Sequence, residues 1–301
     1  MKLLIVGAEG SLGERLKCIA EKETNWSVAG ATRRRIFSRD AQLSFDSASR
    51  TDWRALFDSP EWRPDVIVNA AAMTNVDACE TNRTEAWASN VTLVETIAAE
   101  CKRHGTRLVQ ISSDYIFDGH DGPYLESSVP NPINYYGKTK LAAENACIKL
   151  GVACAIIRTM WLYGDGTGGR PSFVQWMVDA HLAGDKVRVV TDEVGNPTFQ
   201  DDVAFGIIKA VDRDLRGVVN IAGPDLMSRW EFALAIAAVY GLDVTNLVPV
   251  VSADLGRVAR RPLRSGLVSL RAQTALGLRL TRVMDGLEIT RILEQRMARE
   301  L

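Results

Sequence analysis

The chain has little of what would mark a secreted, metal-binding or nucleic-acid-binding protein. Its 301 residues include five cysteines, at 18, 79, 101, 147 and 154, an odd number without a Cys-x-x-Cys pair. That pattern argues against a disulfide framework and suits a reducing cytosol, so a cytoplasmic location is expected. The three histidines, at 104, 120 and 181, are too scattered for a zinc-like cluster and read as surface or core residues. With 36 basic and 37 acidic side chains the net charge is −1, which argues against dedicated nucleic-acid binding. There is no run of 18 apolar residues, and the opening Leu3-Leu4-Ile5-Val6 is too short for a signal peptide, so no membrane role is expected. Repeats and low-complexity tracts are missing as well. At 47% hydrophobic and 24% charged, the composition is that of an ordinary globular chain of one or two domains.

What is present is alternation. Strand-like runs at 2–6, 26–31, 65–69, 107–112 and 152–158 are separated by helical stretches. This is the pattern of an α/β chain with a Rossmann doubly wound parallel sheet. Residues 43–46 read as a further short strand. Helices are expected at 201–212, returning to the nucleotide domain, and at 228–241. The resulting division assigns 1–160 and 199–224 to a dinucleotide-binding domain, and 161–198 and 225–301 to a smaller substrate domain. Between Gly164 and Pro171 the composition is that of a flexible loop, either a cover for substrate or a plain linker.

The first apolar run leads into Gly7, Gly10 and Gly13, and a helical pattern follows through Leu12, Leu16, Ile19 and Ala20. In such a strand–turn–helix, Gly7 makes the tight turn, Gly10 admits a pyrophosphate and Gly13 lets helix and strand pack closely. The phosphates then meet the N–H groups of the helix start, which puts Glu9, Ser11 and Leu12 at the cofactor. A glycine-rich turn without ligand is the rival reading. Arg33, Arg34 and Arg35 follow the second strand, and the next acidic residue is Asp40. An NAD site wants a carboxylate there for the ribose 2′-hydroxyl, whereas arginine suits the 2′-phosphate of NADP(H). A solvated basic loop would look the same. Asp46, after the short strand, could bond the adenine amine or simply form a turn.

Tyr136 and Lys140 stand four apart, hence on one helix face. A nearby ammonium favours phenolate, so the pair reads as a tuned proton donor and acceptor for carbonyl–alcohol chemistry. The strand at 107–112 delivers Ser112 and Ser113 at its carboxyl end, the edge where open α/β sheets bind ligands. Ser113 would complete a Ser–Tyr–Lys set, unless the serines only cap a turn.

In these features, and in several further blocks, the chain resembles the extended short-chain dehydrogenase/reductases and, more narrowly, the dTDP-4-dehydrorhamnose reductase group. The blocks are 69–77, Ser112-Ser113-Asp114-Tyr115, Tyr136-Gly137-Lys138-Thr139-Lys140, 158–164, 192–198 and Arg261-Pro262. The resemblance implies catalysis by Ser113 (a threonine is usual there), Tyr136 and Lys140. It further implies cofactor contacts at Ala70, Ala71, Ala72, Thr74 and Ser112, a sugar site shaped by Asp114, Tyr115 and Trp161, and a substrate contact at Arg261. Glu193 and Arg264 depart from the glutamine and asparagine of the group, which leaves the sugar open. Arg257, Arg260, Arg261 and Arg264 could bind a diphosphate, with a solvated basic face as the rival reading for all but Arg261. The implied activity is NADPH-dependent reduction of the 4-keto group of a nucleotide-linked 6-deoxysugar, with a small-molecule substrate and compatibility with a homodimer. Three alternatives stand beside it: a dehydratase, disfavoured because Tyr115 follows Asp114; an epimerase, disfavoured by Arg33–Arg35; and a cofactor-binding regulatory subunit like that of methionine adenosyltransferase.

Overall fold

The computed structural model describes residues 1–38, 42–59, 62–164 and 171–300. β1 (Lys2–Val6) runs through the middle of the main sheet because both its faces are apolar: Leu3, Leu4 and Ile5 are fully buried. The chain continues through β2 (Ser27–Ala31), β3 (Arg35–Phe37), β4 (Gln42–Ser44), β5 (Val66–Asn69), β6 (Arg107–Ser113) and β7 (Cys154–Thr159). With Gly217–Asn220 as the outer strand, the spatial order is Gly217–Asn220, β7, β6, β5, β1, β2, β3, β4. Pairing is parallel except at β3 and β4, which form an antiparallel edge. The strand reversal next to β1 opens the crevice in which such sheets take ligands.

The short strand expected at 43–46 extends instead over Gln42–Ser44, and it pairs with β3, a strand that the sequence reading missed. Three arginines in a row hid β3. Yet Arg35 is exposed while Ile36 is buried, the period-two pattern of an edge strand. The loop expected at 164–171 lies largely outside the described residues.

Alternation along β1 divides two cores. Leu3 and Ile5 pack with Leu16 and Ala20 of α1 (Ser11–Glu23) and with Val203 and Ile207 of helix Gln200–Asp212. Leu4 and Val6 pack with Trp53, Ile97 and Ala143 on the opposite face. Each buried valine, leucine or isoleucine among them contributes ~1.5–3 kcal/mol by leaving water. Helix Gln200–Asp212 is further tied to α1 by Arg15, whose Nε donates to Asp201 at 2.5 Å. Helix Leu270–Leu276 packs on this sheet as well, through Ala272 and Leu276, although the sequence division assigned 225–301 to the smaller unit. A separate core of Tyr163, Met177, Phe199, Phe232, Ile236 and Leu287 joins helices Phe173–Leu182, Arg229–Tyr240 and Val283–Glu300. Among the described residues no helix is long and apolar enough to cross a membrane.

Candidate active site

On the dinucleotide side, β1 hands the chain to the turn at Gly7, where φ is +84° and a Cβ would lie 2.7 Å from the Ala71 nitrogen. Only glycine fits both constraints. Gly10 is the N-cap of α1 and supplies no side-chain cap, so the first N–H groups of the helix are free to take an anion. This cradle fits a pyrophosphate. Leu12 is a core residue, 8% exposed, and can contribute only its backbone. The Ser11 hydroxyl donates to Gln200 Oε1 at 2.7 Å, and Glu9 is ion-paired with Arg35. Arg35 therefore leaves the arginine group, whereas Arg33 (3.8 Å from Glu85) and Arg34 remain exposed beyond β2. Such exposed guanidiniums fit a phosphate on the adenosine ribose. Asp46 forms a turn, accepting from the Ala48 N–H at 2.9 Å.

Beyond β5, Ala70, Ala71 and Ala72 line the crevice half-buried, and Thr74 is exposed. Asn90, which lies in a π turn (Ala88–Thr92), holds this segment in place. Its Oδ1 accepts from the Met73 N–H at 2.7 Å, and its amide donates to the Met73 carbonyl at 3.1 Å and to Thr139 Oγ1 at 3.0 Å. The loop after β5 and the tyrosine helix are thereby clamped together. Nothing in the sequence marked Asn90.

That helix, Tyr135–Leu150, starts at an Asn134 cap whose Oδ1 accepts from the Gly137 N–H at 2.8 Å. Its buried stripe is Tyr136, Thr139, Lys140, Ala143, Glu144 and Cys147. Glu144 receives Arg158 of β7 through two bonds, at 3.0 and 2.7 Å, which locks the helix onto the sheet. β6 places Ser112 and Ser113 at its carboxyl end. The Ser112 hydroxyl is buried without a partner among the described residues, as befits a ligand contact. Ser113 serves both readings. It accepts from the Tyr115 N–H at 3.2 Å as a cap, and it also interacts with the Tyr136 phenol.

One expectation fails. Lys140 does not acidify Tyr136: its Nζ donates to the Ile111 carbonyl at 2.6 Å, and burial pulls its pKa down to about 8. The Tyr136 phenol is raised above its usual range, by burial first and then by the Asp114 carboxylate, with Ser113 pulling the other way. Desolvation of the phenolate outweighs the four-residue spacing.

On the substrate side, Asp114 is 2% exposed and is held by the hydroxyls of Ser113 (2.9 Å) and Ser265 (2.7 Å). Burial lifts its pKa to about 6 against those two bonds. The Tyr115 ring meets Tyr136 edge-on at 5.5 Å. Trp161 carries a positive φ of 43° and is covered by the guanidinium of Arg229, 3.7 Å from the ring centroid. Arg261 is engaged by Asp77 at 2.7 Å and by the Ala259 carbonyl at 2.8 Å. Although burial opposes it, the Ala259 N–H and Arg261 hold the Asp77 carboxyl below its usual range. Glu193 is buried, ion-paired with Arg257 and bonded to the Ser252 hydroxyl at 2.5 Å; the Arg264 side chain is exposed. Ser265 and Arg229 escaped the sequence reading because their partners are distant in the chain.

A doubly wound sheet whose carboxyl edge joins a glycine turn to a Ser–Tyr–Lys set defines a Rossmann-type chain built around a dinucleotide cleft. The family model of the RmlD substrate binding domain matches residues 1–294, and the chain belongs to that family. It is 33% identical over 274 residues to the dTDP-4-dehydrorhamnose reductase of Mycobacterium tuberculosis H37Rv, covering 89% of this chain and 85% of that one. The methionine adenosyltransferase 2 subunit beta of Xenopus tropicalis is 32% identical over 265 residues, covering 86% of this chain and 78% of the relative. Among solved structures, the dTDP-4-dehydrorhamnose reductase of Bacillus anthracis in complex with NADP superposes with a TM-score of 0.85 at 29% identity, covering 97% and 98% of the two chains.

Proposed function

We propose that this chain is an oxidoreductase that uses NADPH to reduce the 4-keto group of a nucleotide-linked 6-deoxysugar. What supports this reading is that β6 brings Ser113, and the buried stripe of helix Tyr135–Leu150 brings Tyr136 and Lys140, to the sheet that also carries the Gly7–Gly13 turn. The relatives named dTDP-4-dehydrorhamnose reductase support it, and the NADP-bound neighbour supports the choice of cofactor.

NADPH, when bound, supplies the hydride. The chain supplies the rest. The free N–H groups at the start of α1 would take the pyrophosphate, Arg33 and Arg34 the 2′-phosphate, and Lys140 with Ser112 the ribose near the nicotinamide. Ser113 would hold the substrate carbonyl oxygen, and Tyr136 would protonate it as charge develops there, the moment at which oriented donors matter most. The phenol, whose pKa burial raises further above neutrality, carries the proton that step requires. Asp114, Tyr115 and Trp161 would bound the sugar.

The test is a screen of keto-sugar nucleotides for NADPH consumption, repeated with Tyr136→Phe. The wild type should turn over a 4-keto-6-deoxysugar nucleotide, and the variant should lose ~10²-fold or more in kcat with little change in NADPH affinity. Wild-type turnover in Tyr136→Phe rejects the proton-donor role. NADPH binding without consumption of any keto-sugar would instead favour a regulatory subunit, the reading that the subunit beta relatives support.

A further inference from the structure

Arg229 opens the helix Arg229–Tyr240, and its backbone N–H donates to the Glu193 carbonyl at 2.9 Å. Its guanidinium lies over the Trp161 ring at 3.7 Å and within 5.0 Å of the Phe173 ring. Among the described residues it forms no ion pair and no hydrogen bond. Among the described residues the Arg260 and Arg264 side chains form none either, but both are exposed, whereas Arg229 is half-buried against Trp161. Arg257 is committed to Glu193, Arg261 to Asp77 and Arg158 to Glu144. The acidic groups that feel its field are engaged elsewhere, Glu193 by Arg257 and Ser252, and Asp114 by the two serines.

A guanidinium has five N–H donors and is costly to bury without an acceptor. Stacking on indole uses the face of the cation and returns ~0.5–2 kcal/mol. It leaves the edge donors unserved. Burial draws the pKa of Arg229 down to about 10, so the group is still a cation at neutral pH. A fixed, half-buried, charged fork without an internal acceptor is open to an external anion, and its geometry matches phosphate oxygens two at a time. On the nucleotide-sugar reading given above, on which this inference rests, the substrate's only full negative charge is on its diphosphate.

We propose that Arg229 is the diphosphate receptor of the substrate pocket, gripping the sugar nucleotide with the edge of a guanidinium whose face is held by Trp161. Arg261, assigned to the substrate by resemblance, then serves to fasten the segment around Ala259 to helix Val76–Thr81 through Asp77. Arg229 is thus a binding and specificity residue rather than a catalytic one.

Calorimetric titration of the full chain with dTDP, thymidine and NADPH tests this. The wild type should bind dTDP ~10-fold or more tighter than thymidine. Arg229→Met should lose that preference while keeping NADPH affinity, and Arg229→Lys should fall between, since it retains charge without the fork. Unchanged dTDP affinity in Arg229→Met, with NADPH binding intact, overturns the assignment. If that variant does not fold, Arg229→Lys decides, and wild-type dTDP affinity in it overturns the assignment equally. A wild type that binds dTDP no better than thymidine would instead remove the nucleotide-sugar reading itself, and this inference with it.

Discussion

Asp114 is held where charge is costly. Burial lifts its pKa from 3.8 to about 6, so between those values the folded protein keeps a proton that the unfolded chain has released. The stability drawn from this group is complete below about pH 4 and is lost as the pH rises through about 6. Relative to Asp114→Asn, the wild type should therefore lose on the order of 2 kcal/mol of unfolding free energy between about pH 4 and pH 7. Urea unfolding at the two pH values measures this, and equal slopes for both proteins would reject the account. Positions such as Tyr136, Lys140 and Ser113 were legible in the sequence because side-chain spacing on a helix and position at a strand end are local properties. Their protonation was not. The Lys140 ammonium goes to the Ile111 carbonyl, and the partner that balances Asp114 from the far side, Ser265, is 151 residues away in the chain.

Among the elements, the helix Tyr135–Leu150 sets where the phenol sits, and Asn134 sets where that helix begins. Its side chain caps Gly137 and also donates to the Arg260 carbonyl at 2.9 Å, linking the helix start to the C-terminal segment. Asn134→Ala should cost ~1–2 kcal/mol in chemical denaturation, the loss of a cap and of one further bond. A variant as stable as wild type would show that the cap does not hold the helix. An asparagine directly before a helical run is a readable start signal, as Ser228 is for the helix Arg229–Tyr240, which Gly241 ends. The inner parallel strands were equally readable, being short apolar runs buried on both faces, but the outer strand Gly217–Asn220, half of it open to solvent, was missed. β3 was not, since its arginines face solvent at a sheet edge, and the π turn around Asn90 has no local signature.

For the molecule as a whole, a ligand that binds only the folded form adds RT ln(1 + [L]/Kd), ~2.7 kcal/mol at a hundredfold excess over Kd. NADPH should therefore raise the melting temperature more than NADH at equal concentration, and Arg33→Ala combined with Arg34→Ala should abolish most of the difference. Equal shifts from the two cofactors in the wild type would withdraw the preference for NADP(H). The sequence by itself determined the doubly wound α/β class, the glycine turn and the three positions proposed for catalysis, because hydrophobic period and residue spacing belong to contiguous stretches of chain. Only the tertiary structure decided that burial raises the pKa of the phenol instead of lysine lowering it, that Arg261 is bound to Asp77 and that Arg229 stands over Trp161 without an acceptor. These depend on which surfaces lose water and on partners brought in from far along the chain, and neither can be read from neighbouring residues.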